Sequence, residues 1–142
     1  MTVLEALKGW LLTCPLLDGQ RLNTNYLGPE SPEFSLVEAP VNPVVRQYLD
    51  GSSTRQKAVA LTAVQDYSPD QLQQLAASGF WAELGGWIEE QNDLDNLPQL
   101  EEGKTACSVE ITASHYIFQT GPQTARYQMQ IRLIYDQDRK DD

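Results

Sequence analysis

Histidine occurs once in this chain of 142 residues and cysteine twice, so the usual apparatus of metal binding and nucleophilic catalysis is scarce. Cys14 and Cys107 lack CxxC spacing and have no histidine cluster beside them, which leaves no zinc-type site and no other metal expected. Both read as buried free thiols. His115 lies inside an apolar and aromatic run, where a lone histidine more often packs in a core or on a sheet surface than binds a ligand. Positive charge is also short: ten Lys and Arg against twenty Asp and Glu give a formal net charge of -10. That balance repels a phosphate backbone, so specific nucleic-acid binding is not expected; its plainer meaning is a well-solvated surface. No hydrophobic run approaches the roughly 20 residues of a membrane span. Glu5 and Lys8 interrupt the apolar part of the N-terminus and break any signal-peptide core. A cytosolic chain with no membrane contact is the expectation.

What is present suits a globular chain. Hydrophobic residues make up 41%, including three Trp, six Tyr and three Phe, and the length fits one core and one domain over residues 1–142. Residues 2–14 predict an amphipathic helix, because Val3, Leu4, Leu7, Trp10, Leu11 and Cys14 recur on one face. Thr2 and Glu5 form a capping-box pattern, and Pro15 ends the helix. Residues 16–43 are rich in Gly and Pro, with short extended pieces predicted at 22–27 and 33–39, the second placing Phe34 and Leu36 on one face. Strands are also predicted at 44–49 and 56–65, the latter small and buried on both sides. A second helix is announced by Ser68, Pro69, Asp70 and Gln71. Its stripe is Leu72, Leu75, Ala76, Phe80, Leu84, Trp87 and Ile88, and Gly79, Gly85 and Gly86 permit close approach to a sheet. The polar run NDLDNLP at 92–98 ends it. Strands at 108–118 and 125–135 follow, joined through Thr120, Gly121 and Pro122, and residues 136–142 read as a frayed charged tail.

The stretch YLDGSSTRQ, residues 48–56, admits three readings: a phosphate-cradling loop, a nucleophile on a turn, or a hairpin bend. A phosphate loop needs more glycines and a following helix whose amides face the anion. Here a strand pattern follows, and Asp-Gly favours the positive φ of a hairpin turn. The hairpin is therefore expected. Ser52 and Ser53 have only His115 as a possible base, and the adjacent pairs Glu89/Glu90 and Glu101/Glu102 point to different faces. No catalytic residue, cofactor or small-molecule substrate is expected.

In the last strand Tyr127, Met129, Ile131, Leu133 and Tyr135 alternate with Arg126, Gln128, Gln130, Arg132 and Ile134. The polar face reads either as ordinary solvated sheet or as a protein-protein surface. The runs VVRQYLDGSSTRQ, GGWIEEQNDLDNLPQLEEGK and SVEITASHYIFQTGPQTARYQMQIRLIY, in that order, resemble the minor capsid or tail terminator proteins of long-tailed phages and prophages. The likeness spans residues 4–135. It implies a non-enzymatic α+β subunit forming a ring, commonly a hexamer, at the head-proximal end of the tail tube. There it would meet the tube protein and the head-completion protein. By that likeness the hairpin tip, with Asp50 and Arg55, becomes a candidate subunit or tube contact beside the polar face of Arg126, Gln128 and Arg132. A binding or regulatory module unrelated to virions is the alternative. The expected fold is α+β: an antiparallel sheet of four to five strands with two amphipathic helices on one face.

Overall fold

The first helix, α1 (Val3–Leu11), begins where the Thr2 hydroxyl accepts the Glu5 amide at 3.1 Å. The Glu5 carboxylate in turn accepts the Thr2 hydroxyl at 3.2 Å, so the capping pattern forms through side chains. Helical geometry ends at Leu12, two residues before the predicted stop. A turn and a short 3-10 helix, Pro15–Leu17, bury Cys14 and Leu17. This computed structural model describes residues 2–17, 20, 22–25, 33–66, 71–120 and 124–139, with side chains left out at 66, 71–78, 118 and 119. The cap at 68–70 and the 121–122 turn lie outside those residues, as do the side chains of the stripe positions 72, 75 and 76.

Six strands make one sheet: β1 (Leu22–Thr24), β2 (Glu33–Ala39), β3 (Val44–Gln47), β4 (Ser53–Asp66), β5 (Lys104–Thr120) and β6 (Thr124–Gln137). Their order is β1-β2-β4-β6-β5, with β3 paired to the start of β4. This corrects the expected antiparallel sheet of four to five strands, because β1 runs parallel to β2 and the sheet is mixed. β1 is followed by Asn25, whose φ of 55° lies in the left-handed region that asparagine tolerates. Its amide donates to Leu36 O and its side-chain oxygen accepts from Glu38 N, so the end of β1 is tied to β2. The α+β class stands.

Antiparallel partners share a face, so the pairs Leu61 with Met129, Val59 with Ile131 and Ala63 with Tyr127 place one apolar surface across β4 and β6. Phe34 and Leu36 extend it through β2. Onto that face pack Leu7, Trp10 and Leu11 of α1 and Trp81, Leu84 and Ile88 of α2 (Gln71–Asp93). Both helices therefore cover the same side. The two join edge to edge through Trp10 and Trp87, whose rings lie 4.9 Å apart, and the Trp10 indole donates to Asn96 O at 2.8 Å. Trp81, only 1% exposed, belongs to the buried stripe although its position was not predicted there. Close approach is real at Gly85, where a Cβ would meet Ile111 at 3.4 Å, but Gly79 and Gly86 have open space. Central β4 is buried on both sides over residues 59–64, as its small side chains predict.

The free edge of β5 is stapled by one side chain. Asn92, in the last turn of α2, accepts the Val109 amide at 2.9 Å and donates to Val109 O at 2.7 Å and Ile88 O at 2.9 Å. A carboxamide thus stands in for a neighbouring strand at an otherwise open ladder position. β6 continues two residues past Tyr135, and Asp138 N then donates to Gly103 O at 2.7 Å. The charged segment is accordingly structured as far as Arg139.

Candidate protein-protein interface

The segment 48–52 is a hairpin connection between β3 and β4, and no helix follows it. Gly51 has φ of 93°, and the Arg139 stem lies over it at 2.9 Å from where a Cβ would stand. The Asp50 carboxylate accepts the Ser52 amide at 2.9 Å and the Ser52 hydroxyl at 2.6 Å, and these bonds hold its pKa below the ordinary aspartate value. Thr54 gives its one hydroxyl proton to Asp136 at 2.8 Å, so Tyr48 must be the donor in its 2.9 Å bond to Thr54. The loop is cross-braced. It nevertheless holds Leu49 wholly in solvent, at 108% relative exposure, with Tyr48 and Val45 also exposed. Sequence reasoning singled out the polar residues here and passed over Leu49; the signal was an apolar residue immediately before an Asp-Gly turn, where burial is not available.

The five candidate contact residues do not form one patch. Arg55 pairs in register with Tyr135 and so lies on the helix-bearing side of the sheet, where its Nε donates to Ser53 Oγ at 3.0 Å. Asp50 is at the exposed tip. Arg126, Gln128 and Arg132 line the opposite face of β6, alternating with buried partners. Two of these three are engaged within the subunit: Arg132 forms a cross-strand ion pair with Glu110 through Nε at 3.0 Å and through Nη2, and Gln128 donates to the Tyr116 hydroxyl. Reversing the charge at Arg132 would set two carboxylates side by side. Such a change perturbs the sheet as well as any contact made by it.

Two recesses flank these surfaces. Beside the hairpin, a polar one of about 830 Å³ is lined by Arg55, Glu101, Glu102, Lys104, Asp138 and Arg139, among others. Lys104 and Glu101 pair across it at 2.5 Å, and this bond lowers the Glu101 pKa. Between α2 and β5 lies a second groove of about 520 Å³, lined by Trp81, Ala82, Gly86, Ile111, His115 and Met129, with Glu89 at its rim. His115 stacks flat on Trp81, ring centroids 5.9 Å apart and planes 3° from parallel.

The titratable groups are dispersed. Ser53 pairs with Gln137 at one end of the sheet, whereas Tyr116, next to His115, pairs with Gln128. Nine strand residues at about 3.3 Å each separate them by about 30 Å, so neither hairpin serine can use His115 as a base. Among the described residues no three of His, Cys, Asp or Glu gather as a metal site would require. The thiols correct an expectation: both are free, but only Cys14 is buried, while Cys107 is exposed at a bulge in β5. The bulged position breaks the alternation that would have turned its side chain inward. Among the described residues, no helix is long and apolar enough to cross a membrane. No family model matches the chain, and no curated protein matches it.

Proposed function

We propose that this chain is a structural subunit of a phage virion, acting without catalysis as a tail terminator or minor capsid protein at the head-tail junction. A ring built by rotation needs two different complementary patches on each subunit, because the contact is head-to-tail rather than self-paired. The observation that carries the reading is a separation of two such surfaces. A braced hairpin displays Leu49 at one end of the sheet, and a strip of Arg126, Gln128 and Gln130 runs along the face away from the helices. The resemblance in the order of elements over residues 4–135 supplies the virion context. A net charge of -10 suits a ring through which DNA passes without adhering.

In this reading the subunits form a ring, a hexamer by the likeness, with tube protein on one side and head-completion protein on the other. Subunits assemble in the host cytoplasm and remain in the particle. Polar contacts of this kind are worth under about 1 kcal/mol each, so the ring is expected to form on a tube end rather than in dilute solution. The test is deletion of the gene from its lysogen, followed by electron microscopy of the induced lysate. Filled heads without tails, beside tails of uncontrolled length, are expected. Normal tailed particles from the deletion strain would remove the proposal. Arg126→Glu, which avoids the Glu110 pair, should reduce joining while the purified protein unfolds at an unchanged urea concentration.

A further inference from the structure

An aspartate followed by glycine is open to attack by the backbone on its own side chain, because glycine has no Cβ to shield its amide nitrogen. Two such pairs occur here, Asp18-Gly19 and Asp50-Gly51, and the first lies outside the described residues. The second sits at the hairpin tip, with both residues exposed to water. The turn cannot dispense with its glycine. Gly51 has φ of 93°, which strains any residue with a side chain, and a Cβ there would stand 2.9 Å from Arg139 Cγ. The fold is thus committed to a reactive pair on its surface.

We propose that Asp50-Gly51 is a latent isoaspartate site, and that Ser52 is the positioning residue that holds it closed in the folded chain. In the reaction the Gly51 nitrogen bonds to Cγ of the protonated Asp50 carboxyl. The amide hydrogen and the carboxyl hydroxyl leave together as water, and a five-membered succinimide results. Water then adds back. Opening of the bond between nitrogen and Cγ restores aspartate, whereas opening of the bond between nitrogen and the Asp50 backbone carbonyl leaves the main chain running through Cγ and frees that carbonyl as a carboxylate. Nothing is oxidised, and the water lost is regained.

The hairpin opposes both reactants. Only the protonated acid can release its hydroxyl as water, and Asp50 Oδ1 accepts from Ser52 N at 2.9 Å and from Ser52 Oγ at 2.6 Å. Both bonds favour the carboxylate, so they reduce the share of reactive acid near neutral pH and slow the reaction in proportion. The nucleophile is engaged as well: Gly51 N donates to Tyr48 O at 3.1 Å, a bond the step must sacrifice with the amide hydrogen. Isomerisation would lengthen the main chain by one carbon. The bond from Tyr48 N to Ser52 O, 2.9 Å, spans that point, so the hairpin that presents Leu49 loses its geometry. The chemistry holds whether or not the chain serves in a virion.

The experiment warms the full native chain near neutral pH and follows isoaspartate in the tryptic peptide of residues 47–55, whose one acid is Asp50; Asp18 falls in a separate peptide, residues 9–21. An isoaspartyl peptide keeps its mass, shifts in retention and resists a protease that cleaves before aspartate. Each folded chain is compared with its own free synthetic peptide, QYLDGSSTR or its variant, so that intrinsic sequence effects cancel. The native chain should isomerise many-fold more slowly than the peptide. Ser52→Ala removes a surface hydroxyl and should leave the urea midpoint nearly unchanged while raising the native rate several-fold. Ser52→Thr, which keeps a hydroxyl, should stay near the unmodified chain. So should Thr54→Val, which cuts the Tyr48-Thr54-Asp136 chain and loosens the same hairpin without touching Asp50. A native rate equal to that of the peptide would overturn the proposal, as would Ser52→Ala at the unmodified rate. Equal acceleration by Thr54→Val or Ser52→Thr would also overturn it, since looseness of the loop rather than the Ser52 hydroxyl would then set the rate.

Discussion

Replacing Asn92 by alanine removes the one side chain among the described residues that engages the backbone of the β5 edge at Val109. Three hydrogen bonds of 2.7 to 2.9 Å are lost together. Val109 is 2% exposed, so its amide and carbonyl cannot simply turn to water. A net 0.5–1.5 kcal/mol per bond, with the added cost of unsatisfied buried groups, gives a destabilisation of about 2–4 kcal/mol. For a chain of this size 1 kcal/mol corresponds to about 3 °C, so the melting temperature should fall by roughly 6–12 °C. Asn92→Asp sharpens the test. The carboxylate can still accept from the Val109 amide, but it sets negative charge against the carbonyls of Val109 and Ile88, to which the carboxamide donated. Near neutral pH it should therefore be at least as damaging as alanine, and it should recover in part where the carboxyl protonates. Urea unfolding would measure the stability, and amide hydrogen exchange would follow Val109 directly. If Asn92→Ala lowered stability by less than about 0.5 kcal/mol, or if Val109 stayed protected, the staple would be incidental and the edge held by something else.

Two further outcomes follow from the titratable groups. Glu38, Asp50 and Glu101 all have pKa values lowered in the fold, chiefly by hydrogen bonds from Lys57, Ser52 and Lys104 respectively. Groups depressed in this way add stability that is complete above the ordinary carboxylate value of about 4 and is lost as pH falls through the folded values. The urea midpoint should therefore drop on acidification below that range, and Glu38→Gln should flatten part of the slope; a midpoint that rose instead would contradict the assignment. For the thiols, a disulfide reagent should label one cysteine in the native protein and two after denaturation. Partial desolvation by its neighbours, and then Asp136, raise the pKa of the exposed Cys107 thiol, so its labelling should keep accelerating at pH values where an ordinary thiol has levelled off. Rapid native labelling of both would place Cys14 outside the core.

Alternation made β6 legible: an apolar residue at every second position, from Tyr127 to Tyr135, can bury only one face of a strand, and the structure buries that face. The same local logic located the Thr2 cap, the 48–52 hairpin and the doubly buried β4, because each depends on residues within a few positions of one another. What depended on distant pairing could not be read. The parallel pairing of β1 with β2 matches Leu22 to Phe34, 12 positions on, and the exposure of Cys107 follows from a bulge set by its register against β6. The engagement of Arg132 by Glu110 and of Gln128 by Tyr116 joins residues 22 and 12 positions apart, so a strip legible as polar proved partly satisfied within its own sheet. Likewise, periodicity placed Leu84 and Ile88 inside, but only the packing of α2 across β5 leaves a slot at Ala82 and Gly86, and only the hairpin's reach leaves Leu49 in water. Local patterning sets which face a residue takes; what that face meets is set by contacts between segments far apart in the chain, and those exist only once the sheet has closed its register.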